Sequence, residues 1–363
     1  MQRNDRQDGR ARIKVIGCGG GGGNAVNRMI SAALKGVEFI AVNTDMQALE
    51  RCNADVKVNI GRKLTRGLGS GGDWTKGRDA ADESRTELTE LVKDCDMVFI
   101  TCGMGGGTGT GSSSVVAEIA KSEAALTIGV VTRPFRWEGK IRNANADEGI
   151  KLLRDKVDAL IVIPNDRLTQ VVDKKTTLEE SFRIADDVLR QGVQGIADLI
   201  VNPGTINLDF ADVKAIMLET GECLMGIGFG SGDNRAEDAA KQAVASPLLE
   251  TSIDGAQGIL FNITAGKDIT LYECEKAAEI VKASADPSAN IIFGVVNDDR
   301  MQGEVKITVI ATGFGRRRGS AQSTDSTTVE YARPDLQPQT EPRRSLVPDE
   351  DDLNIPAFLR HRI

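Results

Sequence analysis

The sequence predicts an α/β protein: a doubly wound, mainly parallel-sheet domain, a long central helix, a second and smaller α/β domain, and a disordered C-terminal tail. Three observations carry this. Short apolar runs alternate with helical patterns through the first half, glycine-rich loops twice sit between a strand and a helix, and residues 176–200 form one long amphipathic stretch. With 363 residues, 40% of them hydrophobic, the chain can bury a sizeable core and divides more naturally into two domains than one. The expected divisions are a flexible arm at 1–11, a first domain at 12–175, the connecting helix at 176–204, a second domain at 205–315, a linker at 316–349 and a terminal peptide at 350–363.

Residues 12–16 (RIKVI) read as the first strand, Gly17 to Asn24 as a glycine loop, and 25–33 as a helix. Strands follow at 38–42 and 56–60, a flexible loop at 67–72 (GLGSGG), and a charged helix at 76–92. The fourth strand, 97–101 (MVFIT), runs into GMGGGTGTG at 103–111, after which SSSVVAEIAKSEAAL has helical spacing. Strands at 126–131 and 159–163 complete the first domain. So many glycines cost backbone entropy and pack no core, so their use is to let backbone N–H groups close on a ligand. A loop that opens a helix favours an anion, and Thr108 and Thr110 add hydroxyls there. The two glycine loops follow strands one and four, which are neighbours at the switch point of the order 3-2-1-4-5-6. Both therefore face one ligand.

In 176–200, apolar residues recur at Leu178, Phe182, Ala185, Leu189, Val193, Ile196 and Ile200. Thr176 with Glu179, or Thr177 with Glu180, makes a capping box, and Asn202-Pro203-Gly204 ends the pattern. Beyond it the sequence predicts helices at 210–219, 234–245 and 272–283, strands at 258–263, 291–296 and 306–312, and a loop at 226–232. Residues 315–350 are rich in Arg, Ser, Thr, Gln and Pro and too poor in apolar groups to fold. Apolar residues return in the terminal DDLNIPAFLR, from Asp351 through Arg360, as in a docking peptide.

Composition narrows the chemistry. A net charge of −8 and a pI near 5.1 argue against a general nucleic-acid binder. The six cysteines have no CxxC spacing, which fits a reducing cytoplasm, and no apolar run is long enough for a signal peptide or direct membrane insertion. His361 is the only histidine, so a Ser/His/Asp triad and His-ligated metals are excluded from the folded part, and no metal site built by the chain itself is expected. Carboxylates, hydroxyls, backbone amides and a hard cation remain. The first loop alone could serve an NAD-dependent oxidoreductase, with Glu38 or Asp45 on the ribose, but two loops at one switch point suit a triphosphate gripped from two sides. No GK[ST] follows either loop, so the Walker A pattern is absent.

GGGTGTG at 105–111 resembles the signature of the tubulin and FtsZ superfamily, and the chain from 12 to 314, together with DDLNIPAFLR, resembles the FtsZ family of bacterial cell-division GTPases. The resemblance implies that Gly19, Gly20, Gly21, Gly22, Gly23 and Asn24, with Gly105, Gly106, Gly107, Thr108, Gly109, Thr110 and Gly111, hold the phosphates of GTP or GDP. Mg²⁺ would be carried by the nucleotide. It places Glu138 and Arg142 on the ribose, Asn165 on the base, Phe182 stacked on guanine, and Asp186 or Asp187 on its exocyclic amine, while Asp45 shapes the phosphate region. By spacing alone, Asp209 and Asp212 are an N-cap and a first-turn carboxylate. The resemblance adds that they enter the next subunit's pocket and polarise the attacking water, with Asn207 facing the same nucleotide. It implies a head-to-tail homopolymer that hydrolyses GTP at its junctions, located in the cytoplasm at the mid-cell division site, with membrane adaptors and division regulators bound by the terminal peptide. A tubulin-like GTP-binding filament or scaffold with little turnover is the alternative. Two stretches depart from the family: Ser112-Ser113-Ser114 replaces Ala-Ala-Pro and supplies N-cap hydroxyls, and the third loop carries Ser70, Gly72, Asp73 and Trp74.

Overall fold

The computed structural model describes residues 11–170, 175–201, 206, 208–249 and 251–314. The N-terminal arm, the linker, the terminal peptide, Asn207 and the Asn202-Pro203-Gly204 stop lie outside the described residues. In chain order the elements are β1 (Ile13–Cys18), α1 (Gly19–Ser31), β2 (Val37–Asn43), α2 (Met46–Glu50), β3 (Val56–Asn59), α3 (Arg62–Thr65), α4 (Trp74–Glu83) and α5 (Arg85–Val92). Then come β4 (Met97–Gly103), α6 (Thr108–Ser122), β5 (Leu126–Arg133), a 3₁₀ turn (Arg136–Glu138), α7 (Lys140–Arg154), β6 (Ala159–Pro164), α8 (Asn165–Leu168) and α9 (Leu178–Val201). The chain continues through α10 (Phe210–Met217), β7 (Gly221–Ser231), α11 (Arg235–Val244), β8 (Gly258–Ala265), α12 (Leu271–Ala283), β9 (Asn290–Asn297) and β10 (Glu304–Thr312).

The described strands form one sheet in the order β3-β2-β1-β4-β5-β6-β7-β10-β8-β9. Its first six strands are parallel and in the doubly wound order, so β1 and β4 adjoin, with Gly17 opposite Thr101. Successive side chains point to opposite faces: Val15, Phe99, Ile128 and Ile161 join the core under α1 and α9, whereas Ile16, Ile100, Val131 and Leu160 join the core under α4 to α7. Helices cover both faces, which is why these strands read as continuous apolar runs. β7 extends the sheet by pairing parallel to β6 from Ala159 to Ile161, and β10 lies antiparallel between β7 and β8.

α9 crosses this body. Its buried stripe of Ala185, Val188, Leu189, Gly192, Val193 and Ile196 repeats at three and four residues, and Thr177 Oγ1 accepts the Glu180 amide at 3.2 Å, one half of the second expected capping box. At about 1.5 Å per residue the helix spans about 36 Å. Phe182 meets Phe135, just past the C-terminal end of β5. At the other end, Val201 fills the space that a side chain on Gly36, before β2, would need. The helix thus runs from the C-terminal edge of the parallel sheet to its N-terminal edge.

Four local expectations change. The glycine runs are helical: α1 begins at Gly19 and α6 at Thr108, inside the motifs. A Cβ on Gly22 would lie 2.4 Å from the Thr101 carbonyl, so only glycine lets this helix start sit directly on β4. The helix expected at 76–92 breaks at Ser84 into α4 and α5. α7 was not anticipated, because it buries only Ala146, Gly149, Ile150 and Leu153 and most of its other residues are polar. The loop expected at 226–232 lies largely in β7, ending at Ser231. There Gly226, Gly228 and Gly230 alternate along the strand beneath α11, and a Cβ on each would fall 1.9–2.0 Å from the carbonyls of Ala243, Ala239 and Arg235. Gly228→Ala should therefore lower stability by about 1–3 kcal/mol; an unchanged midpoint in chemical denaturation would contradict this packing.

Candidate functional site: two helix N-termini and an aromatic shelf

The two glycine segments touch through their backbones. Gly19 has φ of +70°, and a Cβ there would lie 2.7 Å from the Gly109 amide nitrogen; one on Gly109 would lie 2.9 Å from the Cys18 carbonyl. The N-termini of α1 and α6 therefore converge where β1 and β4 adjoin. Neither helix has a side-chain cap or an acidic residue in its first turn, so first-turn N–H groups and the positive dipole ends are left for a ligand. Gly20 and Gly106 have open space where a side chain would be, as do Gly71 and Gly72 of the third loop. This is a cradle for an extended anion.

The threonines serve the cradle's frame. Thr108 Oγ1 bonds Thr44 Oγ1 at 2.6 Å and Ser70 Oγ at 3.2 Å, joining the signature segment to the loops after β2 and α3. Thr110 Oγ1 accepts the Gly105 amide at 2.8 Å. Asp45 caps α2 by accepting from Gln47 at 2.9 Å and Ala48 at 3.3 Å, and Asp73 caps α4 in the same manner, accepting from the Thr75 and Lys76 amides. Ser112, Ser113 and Ser114 do not act as N-caps: α6 has already begun, and their hydroxyls donate to the carbonyls of Thr108, Thr110 and Gly111.

Beside the cradle lies an aromatic shelf. Phe135 and Trp137 stack at 5.4 Å, and Phe182 of α9 meets them edge-on at 5.8 and 6.2 Å while staying 38% exposed. Glu138 uses one carboxylate oxygen on the Phe135 amide at 2.9 Å and the other on Arg142 Nε at 3.0 Å, locking the turn. The Arg142 carbonyl packs under Gly105, so this turn and the signature segment form one wall. Asn165 opens α8 at the end of β6; its side chain is buried, and Oδ1 has no hydrogen-bond partner among the described residues.

Asp186 stands one turn after Phe182. Burial pushes its carboxyl up to about 7; Arg28 of α1 opposes that rise and Asp187 adds to it. For Asp187 burial also acts upward, but hydrogen bonds from Arg190 and Gln191 outweigh it and hold the carboxyl below its ordinary range. Asp187 is thus spent within α9, whereas Asp186 bonds no described residue. Sequence reasoning missed Arg28 and the Phe135–Trp137 pair; the spacing of Asn24 and Arg28 on one face of α1 was the available signal.

Asp209 and Asp212 form a reciprocal capping box, Asp209 Oδ1 accepting the Asp212 amide at 2.8 Å and Asp212 Oδ2 the Asp209 amide at 3.3 Å. Their segment leaves α9 at the sheet's N-terminal edge and rejoins that edge where the Gly221 amide donates to the Asp158 carbonyl, before β6. They therefore lie at the end of the sheet opposite the cradle, and the fold of one chain does not bring them to it. Among the described residues no group of His, Cys, Asp or Glu is arranged to hold a metal ion, and no helix is long and apolar enough to cross a membrane.

Paired helix N-termini beside a half-exposed ring and an acceptor-rich pocket define a nucleotide-binding α/β protein. Residues 12–173 match the family model for the Tubulin/FtsZ family GTPase domain, and residues 221–315 match that for the FtsZ family C-terminal domain. The chain belongs to the Tubulin/FtsZ family, whose GTPase domain binds GTP and GDP and hydrolyses GTP. It is similar to an FtsZ dimer from M. jannaschii, with 46% identity, a TM-score of 0.82 and coverage of 86% of this chain and 90% of that one. A tryptophan-to-tyrosine variant of M. jannaschii FtsZ gives 46% identity and a TM-score of 0.81 over 84% and 91% of the two chains. CetZ2 from Haloferax volcanii, described as a GTPγS-bound protofilament, shares the fold at 20% identity and a TM-score of 0.69, over 83% and 92%.

The raised Asp186 carboxyl has a signed consequence. Its folded-state value exceeds the unfolded one, so its contribution is fully present below the unfolded value near 3.8 and is lost as pH rises through about 7. Asp186→Asn should therefore gain stability over the parent at about pH 8 and gain less at about pH 5.5. A pH-independent difference in denaturation midpoints would contradict the burial argument.

Proposed function

We propose that this chain is a GTPase that polymerises head to tail and hydrolyses GTP at subunit junctions, building the filaments of the bacterial division ring. One observation carries the reading: the cradle and the Asp209–Asp212 pair occupy opposite ends of one body. An open, head-to-tail assembly brings those ends together between successive copies. The FtsZ relative's description as a dimer is in keeping with this.

In this reading the triphosphate rests on the first turns of α1 and α6, over Gly20, Gly21 and Gly106. The guanine lies against Phe182, with Asp186 accepting from its donor edge and Asn165 Oδ1 close by; Glu138 and Arg142 border the ribose. Mg²⁺ bound with the nucleotide supplies charge compensation on the phosphates. Asp209 and Asp212 each use one oxygen in the capping box, leaving the second oxygens to orient a water toward the neighbour's terminal phosphate. Asn207 faces the same nucleotide. Positioning and charge compensation suffice for phosphoryl transfer, so no histidine is required. The body divides functionally into a GTP-binding domain at 12–175, the connecting helix at 176–204 and an activating domain at 205–315. The peptide from Asp351 through Arg360, on the linker at 316–349, recruits membrane adaptors and division regulators at mid-cell.

Asp212→Ala should retain GTP binding and assembly yet lose turnover on the order of a hundredfold; ordinary phosphate release by this variant would sink the assignment. Turnover per subunit should rise with protein concentration, and a flat dependence would count against a shared site. Assembly with GTP but negligible phosphate release by the parent would favour the scaffold reading. Deleting 351–363 should leave GTP turnover intact while abolishing adaptor capture, and lost turnover would mean that the tail was misread.

A further inference from the structure

The strand order lays the ligand out along the edge of the sheet. The aromatic shelf is built past β5 and β6, on one side of the β1–β4 pair, and the third loop, 67–72, is tied to the segment after β2, on the other side. A nucleotide whose base lies against Phe182 and whose phosphates cross the cradle therefore points the far end of its phosphate chain at the third loop. There the loop packs directly on the start of α6: a Cβ on Gly107 would overlap Ser70 Oγ and lie 2.9 Å from the Asp73 carbonyl oxygen.

This loop is held in place by the protein alone. The Met46 amide donates to the Gly67 carbonyl at 3.0 Å, the Gly69 amide donates to the Thr44 carbonyl at 3.2 Å, and Leu68 bridges to Asp45. Ser70 then fastens the loop to α6 through Thr108 Oγ1. The next two residues differ. Gly71 and Gly72 are exposed, with φ of +65° and +80°, and their amides donate to no described residue.

The hydroxyls beside them carry a surplus donor. Thr44, Thr108 and Ser70 form a chain of three buried hydroxyls joined by two hydrogen bonds, at 2.6 and 3.2 Å. Three hydroxyl protons serve two bonds, so in every arrangement one proton has no acceptor among the described residues. Thr44, at one end, is sealed from solvent, whereas Ser70, at the other, adjoins the two open amides. Run from Thr44 through Thr108 to Ser70, the chain leaves its spare O–H on Ser70, and a buried donor without an acceptor is costly to keep.

We propose that Ser70 is a specificity-determining residue, which donates to the outermost phosphate of a nucleoside triphosphate and holds the Gly71 and Gly72 amides ready for the same group. A diphosphate ends short of this donor set. The inference rests on the placement of the triphosphate in the cradle given under the proposed function, and adds what makes the cradle prefer three phosphates to two. Hydrogen bonds to a charged group are the strong ones, so the preference should be measurable.

The test is competition against a fluorescent GDP derivative, on the full chain at a concentration too low for assembly, with GTPγS and GDP as competitors. The parent should bind GTPγS more tightly than GDP. Ser70→Ala should weaken GTPγS about tenfold and GDP by less than about threefold, and Ser70→Thr, which keeps the hydroxyl, should hold GTPγS within about threefold of the parent. Equal weakening of both nucleotides by Ser70→Ala would make Ser70 a fastener of the frame only, and unchanged GTPγS binding would remove it from the site; either result overturns the inference. Binding is read here without turnover or assembly, so a parent that releases no phosphate would count against the proposed function while this comparison still decides the role of Ser70.

Discussion

The backbone contact between Gly19 and Gly109 is the constraint on which the rest of the molecule depends. Two helices can begin side by side above two adjacent parallel strands only if no side chain stands between them, and here the missing Cβ atoms are what allow it. The doubly wound strand order makes β1 and β4 neighbours, and the uncapped first turns then leave their N–H groups for a ligand. Thr44, Ser70, Thr108 and Thr110 tie the surrounding loops to this point through buried hydroxyl contacts. The Thr108 and Thr110 hydroxyls, two of the residues expected at the phosphates, also fasten this frame.

α9 imposes the second constraint. A straight helix of this length cannot have both ends at one site, so Phe182 sits by the cradle and Val201 at the opposite edge. That separation gives the shared-site proposal its physical basis. It also explains how Asp209 and Asp212 can be an ordinary capping box within one chain and still have oxygens to offer another.

Much of this was legible in the sequence because it depends on local chemistry. Alternating strand and helix patterns, with two strand–glycine–helix transitions, were enough to place β1 beside β4. The stripe from Ala185 to Ile196 was enough to identify α9. What escaped were features set by contacts between distant residues. The glycines of β7 look like a loop until α11 is known to lie on them. α7 reads as polar because only a narrow stripe of it is covered. Within the site, Phe182 and Asp186 were visible as helix positions, but that Asp187 is occupied by Arg190 and Gln191 while Asp186 is not could come only from the folded arrangement. Arg28 belongs to the pocket through the packing of α1 on α9, which no local pattern reports.

The central claim is that no single chain holds a complete catalytic site, and mixing two inactive variants tests it most directly. One variant, Asp212→Ala, keeps the cradle and lacks the carboxylate. The other, Gly109→Val, keeps the carboxylates and closes the cradle where the two backbones touch. Each alone should be nearly inactive. An equal mixture should recover phosphate release to about a quarter of the parent's rate, because one junction in about four pairs an intact cradle with an intact carboxylate pair. A mixture as inactive as its components, under conditions where the two co-assemble, would contradict the account.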